Sequence, residues 1–197
     1  MKLHHFIIIM VISSTTFFSC SSGSDESILR EEFDVPDSAE LTYFKASPEE
    51  AGWFGREGLK IDAYFQFNDE DFERYLSTAN KSKEWLPLPI PKKFLIHIFS
   101  VKSSKENRIR YYKERNEPLP EEGSVYNPTE EQMLNERIKM LPLAGSNGIF
   151  TLKAAGNNIM HSAKKTYVFL DKDLNDFMLA ILDFDQKKLF IKVSTNY

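Results

Sequence analysis

The acidic run Asp171-Lys172-Asp173-Leu174-Asn175-Asp176 opens like a calcium loop, where carboxylates at alternating positions converge on a hard cation. The rest of such a loop is missing. Asp176 stands where the turn needs glycine, and Leu182 where the bidentate glutamate belongs, so the run reads as a solvated turn between strands. His161-Ser162 pairs a base with a nucleophile, but sequence neighbours seldom face one another and no strand-elbow motif surrounds the serine. His97 lies in an apolar stretch with no second histidine at ligand spacing. The acidic pairs Glu121-Glu122 and Glu130-Glu131 are adjacent in sequence and cannot converge on a glycosidic bond. These residues predict no catalytic group, no metal and no cofactor.

One cluster carries charge of a single sign. Lys102, Lys105, Arg108, Arg110, Lys113 and Arg115, interleaved with Tyr111 and Tyr112, would suit an anionic partner such as a phospholipid head group, lipopolysaccharide or an acidic protein. The bland alternative is a solvated loop. Nucleic acid is excluded as a partner by the formal net charge of -4, since displacing phosphate counterions needs an excess of lysine and arginine. Trp85-Leu86-Pro87-Leu88-Pro89-Ile90-Pro91 could dock on a partner as polyproline, although an extended edge that packs Trp85 on its own domain is the favoured reading.

Cys20 is the only cysteine in 197 residues, which removes disulfides, thiolate zinc sites and thiol nucleophiles from everything after it. Its setting is an export leader. A cationic start at Lys2 precedes the apolar run Phe6 to Ile12, which Ser13, Ser14, Thr15 and Thr16 interrupt well short of the roughly 20 residues that a membrane span requires. Phe17-Phe18-Ser19-Cys20 resembles the lipobox of bacterial lipoproteins, with Ser19 as the small residue before the cut. That resemblance implies removal of residues 1–19 and fatty acylation of Cys20. It also implies attachment in the cell envelope, and Ser21 with the acidic run behind it favours the outer membrane over the inner. Residues 20–35, starting Ser21-Ser22-Gly23-Ser24-Asp25-Glu26-Ser27, have the composition of a flexible tether.

The remaining chain has room for one ordinary domain over residues 36–197, and 42% hydrophobic with 13% aromatic residues predicts that it folds. A strand is expected over residues 39–44. Leu59, Ile61, Ala63, Phe65 and Phe67 alternate with Lys60, Asp62, Tyr64 and Gln66, which predicts a half-buried strand. Asn68 with Asp71 three residues on then caps a helix that turns Phe72, Tyr75 and Leu76 to one side.

Phe94 to Val101 reads as another strand and Lys102 to Tyr126 as a long excursion or lid. Asn127-Pro128-Thr129-Glu130 predicts a helix running to about Met140, with Leu134, Ile138 and Leu141 buried. Strands follow at 148–154 and 166–170, and a hairpin pairs 177–184 with 189–194 across Asp185 to Lys188. The fold class expected is α+β: a mostly antiparallel sheet with two or more short helices in a single domain.

The strand, glycine-rich turn, alternating strand and capped helix of Pro36 to Leu76 resemble segments of uncharacterised bacterial envelope lipoproteins, which implies no activity. Three functions remain open: a lipid-anchored binding domain with an envelope protein, lipid or glycan partner; an immunity-type lipoprotein that neutralises a toxin; and a hydrolase whose site residues cannot be grouped from sequence.

Overall fold

Residues 148–154 and 177–182 are buried at every position, on both faces of the strands they form, and they build the heart of the sheet. In a computed structural model, residues 22–49, 58–142, 147–156, 158–163, 165, 174 and 176–196 are described. The elements are α1 (Ser22–Glu32), β1 (Glu40–Glu49), β2 (Gly58–Gln66), α2 (Asp69–Ala79), β3 (Leu86–Pro87), α3 (Lys92–Ile98), α4 (Val101–Glu114), α5 (Glu130–Ile138), β4 (Gly148–Ala154), β5 (Phe177–Asp183) and β6 (Lys188–Asn196). The six strands form one antiparallel sheet in the order β1-β2-β6-β5-β4-β3, so the fold is α+β. The expected strand over 166–170 lies outside the described residues, as do the leader and Cys20.

The chain divides into two compact units, residues 1–37 and 38–197. In the first, Ser22–Glu32 is helical, where composition predicted a flexible tether. Arg30 holds it twice, donating Nε–H to Glu26 Oε1 at 2.8 Å one turn back and Nη1–H to the Pro36 carbonyl at 2.9 Å. The helix closes as a Schellman motif: Asp34 takes a left-handed φ of 52°, and the Val35 N–H returns to the Arg30 carbonyl at 2.9 Å. Serine-rich composition hid these two devices.

In the second unit, the β5–β6 hairpin sets the register. Asp183 pairs with Lys188, the Asp183 carboxylate accepts the Gln186 N–H at 2.8 Å, and Lys187 supplies the left-handed residue that reverses the chain. β2 then pairs with β6 over its whole length. Ile61, Ala63 and Phe65 of β2 alternate inward as predicted, joined on that face by Leu189, Ile191 and Val193 of β6 and Met178, Ala180 and Leu182 of β5, all out of water. Burying each large aliphatic or aromatic chain contributes about 1.5–3 kcal/mol.

The opposite face is covered over β4 and β5 by α3, α4 and α5. Phe150, Leu152, Phe177, Leu179 and Ile181 meet Phe94, Leu95, Ile98, Val101, Met133 and Leu134 there. Two sequence expectations fail here. Phe94 to Val101 is not a strand: Phe94, Leu95 and Ile98 share one side of α3, a helical spacing that the apolar residues on both sides of His97 concealed, and Pro91 fixes the backbone at its entry.

Lys102 to Tyr126 is not an open lid either. Its first half is α4, made of good helix formers that are polar nearly all round and so show no apolar period. The second half is fastened down. Asn127 is buried and donates to the Pro120 carbonyl at 2.7 Å, Gln132 donates to the Gly123 carbonyl, and Arg137 donates to Ser104 of α4. With Asn127 so engaged, α5 is capped two residues later than expected, by Thr129 in a reciprocal capping box with Gln132.

α2 follows its predicted cap, since Asn68 Oδ1 accepts the Asp71 N–H at 2.9 Å. Phe72 and Tyr75 pack round Phe67 at ring centroid distances of 6.4 and 5.0 Å, and Trp85 meets Tyr75 edge-on at 6.2 Å. The proline-rich stretch is thus the extended edge that packs Trp85, with β3 inside it pairing to β4.

β1 is the sheet's other edge. A bulge at Thr42 shifts its register, so that Leu41 faces Phe65 and Tyr43 faces Tyr64. The bulge with Lys45 and Pro48 blunts this edge against further strand pairing.

Candidate functional site

The strand register lays three rows across the helix-covered face, and each changes character at β6. The first runs Phe150, Ile181, Phe190, Tyr64, Tyr43; the second Leu152, Leu179, Lys192, Asp62, Lys45; the third Ala154, Phe177, Ser194, Lys60, Ser47. The β4 and β5 members are apolar and lie under the helices, whereas those from β6 outward are aromatic, charged or serine. Among the described residues Tyr43, Lys45 and Lys60 on this half are exposed.

On the same half a cavity of about 490 Å³ is lined by Tyr43, Tyr64, Phe190, Asp62, Lys188, Thr42 and Met140. Its floor is an aromatic ladder. Tyr43 meets Tyr64 edge-on at 5.4 Å, and Tyr64 meets Phe190 at 5.1 Å with the rings tilted by 49°. Tyr64 and Phe190 also touch the apolar core, so packing fixes their rings from behind. Tyr43 is 45% exposed at one end and Met140 77% exposed on the rim.

The charges are arranged asymmetrically. Lys192 Nζ lies 2.9 Å from Asp62 Oδ1, a partly shielded pair that neutralises the one acid in the lining. Lys188 has no ion pair or hydrogen bond from its ammonium among the described residues. Partial burial, then the negative charge of Asp62 and the neighbouring Tyr43, push the Tyr64 phenol above the ordinary tyrosine value. Tyr64 therefore keeps its proton at neutral pH and acts as a hydrogen-bond partner, not a base. The arrangement can hold a ligand through rings, hydroxyls and the Lys188 ammonium.

The residues singled out by sequence are dispersed. The basic cluster lies on α4, where much of its charge has a local partner. Lys105 pairs with Glu122 at 2.7 Å, a hydrogen bond that raises the lysine's pKa and lowers that of the glutamate. Arg108 donates to the Tyr126 carbonyl at 2.8 Å and Arg110 to Asn107 at 2.7 Å. The Arg115 guanidinium stacks 3.9 Å from the Tyr111 ring centroid, and Tyr111 packs edge-on against Tyr112 at 5.4 Å. Lys102 and Lys113 keep exposed ammonium groups with no described partner.

His97 sits in α3, not in a strand, and its carbonyl accepts the Leu174 N–H. His161 is exposed in a turn, and Ser162 beside it belongs to no described catalytic arrangement. Within the acidic run only Leu174 and Asp176 are described. Asp176 is not solvated: it is buried, and its Oδ1 accepts the Thr195 hydroxyl at 2.5 Å, tying the start of β5 to the end of β6. Among the described residues no three histidine, cysteine, aspartate or glutamate side chains gather as a metal site.

The groove residues Tyr43, Tyr64 and Phe190 escaped the sequence reading. One signal existed: Tyr64 is an aromatic on the otherwise polar face of the clearest strand. No protein-family model, curated protein or solved structure matches the chain.

Proposed function

We propose that the chain is a lipoprotein of the bacterial envelope, cut before Cys20 and held by lipid on that cysteine, whose folded part binds a partner without catalysis. The anchoring half rests on the apolar leader with the only cysteine placed at its end, and Ser21 and the following acidic run favour the outer membrane. Two or more acyl chains would make the attachment durable, because each buried methylene contributes about 0.8 kcal/mol. The binding half rests on one observation: an open, aromatic-floored groove on a rigid sheet, whose acid is already paired and whose phenol is held protonated.

The α4 cluster is a second surface of lesser weight. Lys102 and Lys113 remain available there to an anionic envelope partner, while Lys105, Arg108, Arg110 and Arg115 are engaged locally.

Metabolic labelling with a fatty acid analogue tests the anchor. The wild-type chain is expected to incorporate label and sediment with membranes, and Cys20→Ser to do neither; lipid labelling of the variant would overturn the assignment. Affinity capture from the envelope fraction tests the binding half, and recovery of no specific protein, lipid or glycan would count against it.

A further inference from the structure

We infer that the groove over β1, β2 and β6 takes a saccharide bearing carboxylates, of the uronic acid kind. This rests on the reading of the folded part as a binding domain and names the class of its ligand.

The backbone contributes little to recognition on this face. The groove lies on the flat of the sheet, where the N–H and carbonyl groups of β2 and β6 are already paired on both sides. A peptide that adds as a strand needs a free edge instead, and the nearby edge, β1, carries a bulge, Lys45 and Pro48. What remains is side-chain chemistry: the rings of Tyr43, Tyr64 and Phe190, the hydroxyls of the two tyrosines, the Thr42 oxygen as an acceptor while its hydroxyl donates to the Tyr64 carbonyl at 3.3 Å, and the Lys188 ammonium.

That set matches a sugar. A pyranose has an apolar face of C–H groups for an aromatic ring and a rim of hydroxyls for phenols, and the Tyr64 and Phe190 rings are fixed by the core before a ligand arrives. Tyr64, held protonated, can donate to a ring hydroxyl and accept from another.

Charge selects among sugars. Lys188 is the cation of the lining that has no partner among the described residues, in a chain whose net charge is -4, so an anion is favoured over a neutral glycan. Asp62 lies in the same lining, neutralised by a single lysine. Lys188 and Asp62 stand on either side of the Phe190–Tyr64 pair in the strand register, so one carboxylate per sugar can reach Lys188 and leave Asp62 alone, whereas a densely sulfated chain lying over those rings would carry its charge on to Asp62.

The test is titration calorimetry on the full lipoprotein in detergent micelles, with three probes of equal length: oligogalacturonate, a neutral maltose oligomer and oligoglutamate. Oligogalacturonate is expected to bind, more weakly as salt rises, with the neutral oligomer at least about tenfold weaker. Tyr43→Ala and Lys188→Gln alter positions outside the buried core and should keep the wild-type circular dichroism spectrum. Each should weaken oligogalacturonate binding about fivefold to tenfold, the loss expected for one charge-assisted contact or one aromatic contact.

Equal binding of the neutral sugar would overturn the role of charge. Equal binding of oligoglutamate would overturn the saccharide class in favour of an acidic peptide, and unchanged affinity in both variants would remove the groove as the site. If no saccharide binds while envelope capture still recovers a specific partner, this inference falls and the binding-domain reading stands; if neither occurs, both fall.

Discussion

Gly148 opens β4 and is buried against β5, and replacing it with alanine tests the sheet packing sharply. A Cβ at this position would stand 2.3 Å from the Leu182 carbonyl oxygen and 3.0 Å from Leu88 Cδ1, where ordinary contacts begin at 3.4 Å. The leucine methyl can rotate away. The carbonyl cannot, because Leu182 belongs to β5, which is held by Leu189 of β6 on its far side. The start of β4 must therefore lift by roughly 1 Å, a strain of the overpacking kind that costs about 1–3 kcal/mol.

That displacement also loosens the bond from the Leu88 N–H to the Gly148 carbonyl, now 3.0 Å, for about 1 kcal/mol more. The expected loss is about 2–4 kcal/mol, or about 4–16 °C in melting temperature for a chain of this size. Gly156 is the internal control. It has nothing within 4 Å of the same added atom, so Gly156→Ala should be neutral or stabilising by about 0.4–1 kcal/mol through the unfolded chain. Urea unfolding followed by circular dichroism measures both variants, and a Gly148→Ala protein within about 0.5 kcal/mol of wild type would refute the packing argument.

Two further outcomes follow from buried polar groups. The Ser38 hydroxyl, then Asn68 and Arg74, hold the Asp71 carboxyl below the usual aspartate range, against the opposing effect of burial. A depressed pKa in the folded state contributes stability that is present above the unfolded value of about 3.9 and lost as pH falls through the lower folded value. The stability gap between wild type and Asp71→Asn should therefore be constant at neutral pH and shrink below about pH 4; a gap independent of pH in urea titrations would contradict it. Asn127→Ala removes the bond to Pro120 and should cost about 1–2 kcal/mol. Hydrogen exchange should quicken at Gly123, whose N–H is held by the Asn127 carbonyl, and stay unchanged in β5. Equal acceleration in both places would show that the loop is not held locally.

What was legible in the sequence was local. β2 declared itself by strict alternation, α2 by Asn68 within three residues of its partner, and the β5–β6 hairpin by two apolar runs around a short polar turn. α3 failed because Phe94 to Ile98 is apolar at every position but His97, so periods of two and 3.6 both fit. α4 failed for the opposite reason: helix propensity is high from Lys102 to Glu114 but almost no apolar stripe marks it.

The groove was illegible because Tyr43, Tyr64 and Phe190 meet only through strand order, and residues 64 and 190 become neighbours across a pairing that no local pattern announces. The α4 cluster shows the reverse error. Its charge was visible, but Glu122 and the Tyr126 carbonyl, which engage Lys105 and Arg108, lie across a loop whose path sequence does not give.

The placement of β6 bears on the timing of folding. It follows every other element in sequence, yet it lies between β2 and β5, and its pairing with β2 joins residues 58–66 to 188–196. Until that strand has been synthesised, the earlier part of the sheet exists only as two disconnected pieces, β1-β2 and β5-β4-β3. Contacts of such long separation form late and slowly. A growing chain built this way stays without its complete central strand, and so without its native sheet, until ribosomal synthesis has reached residue 196.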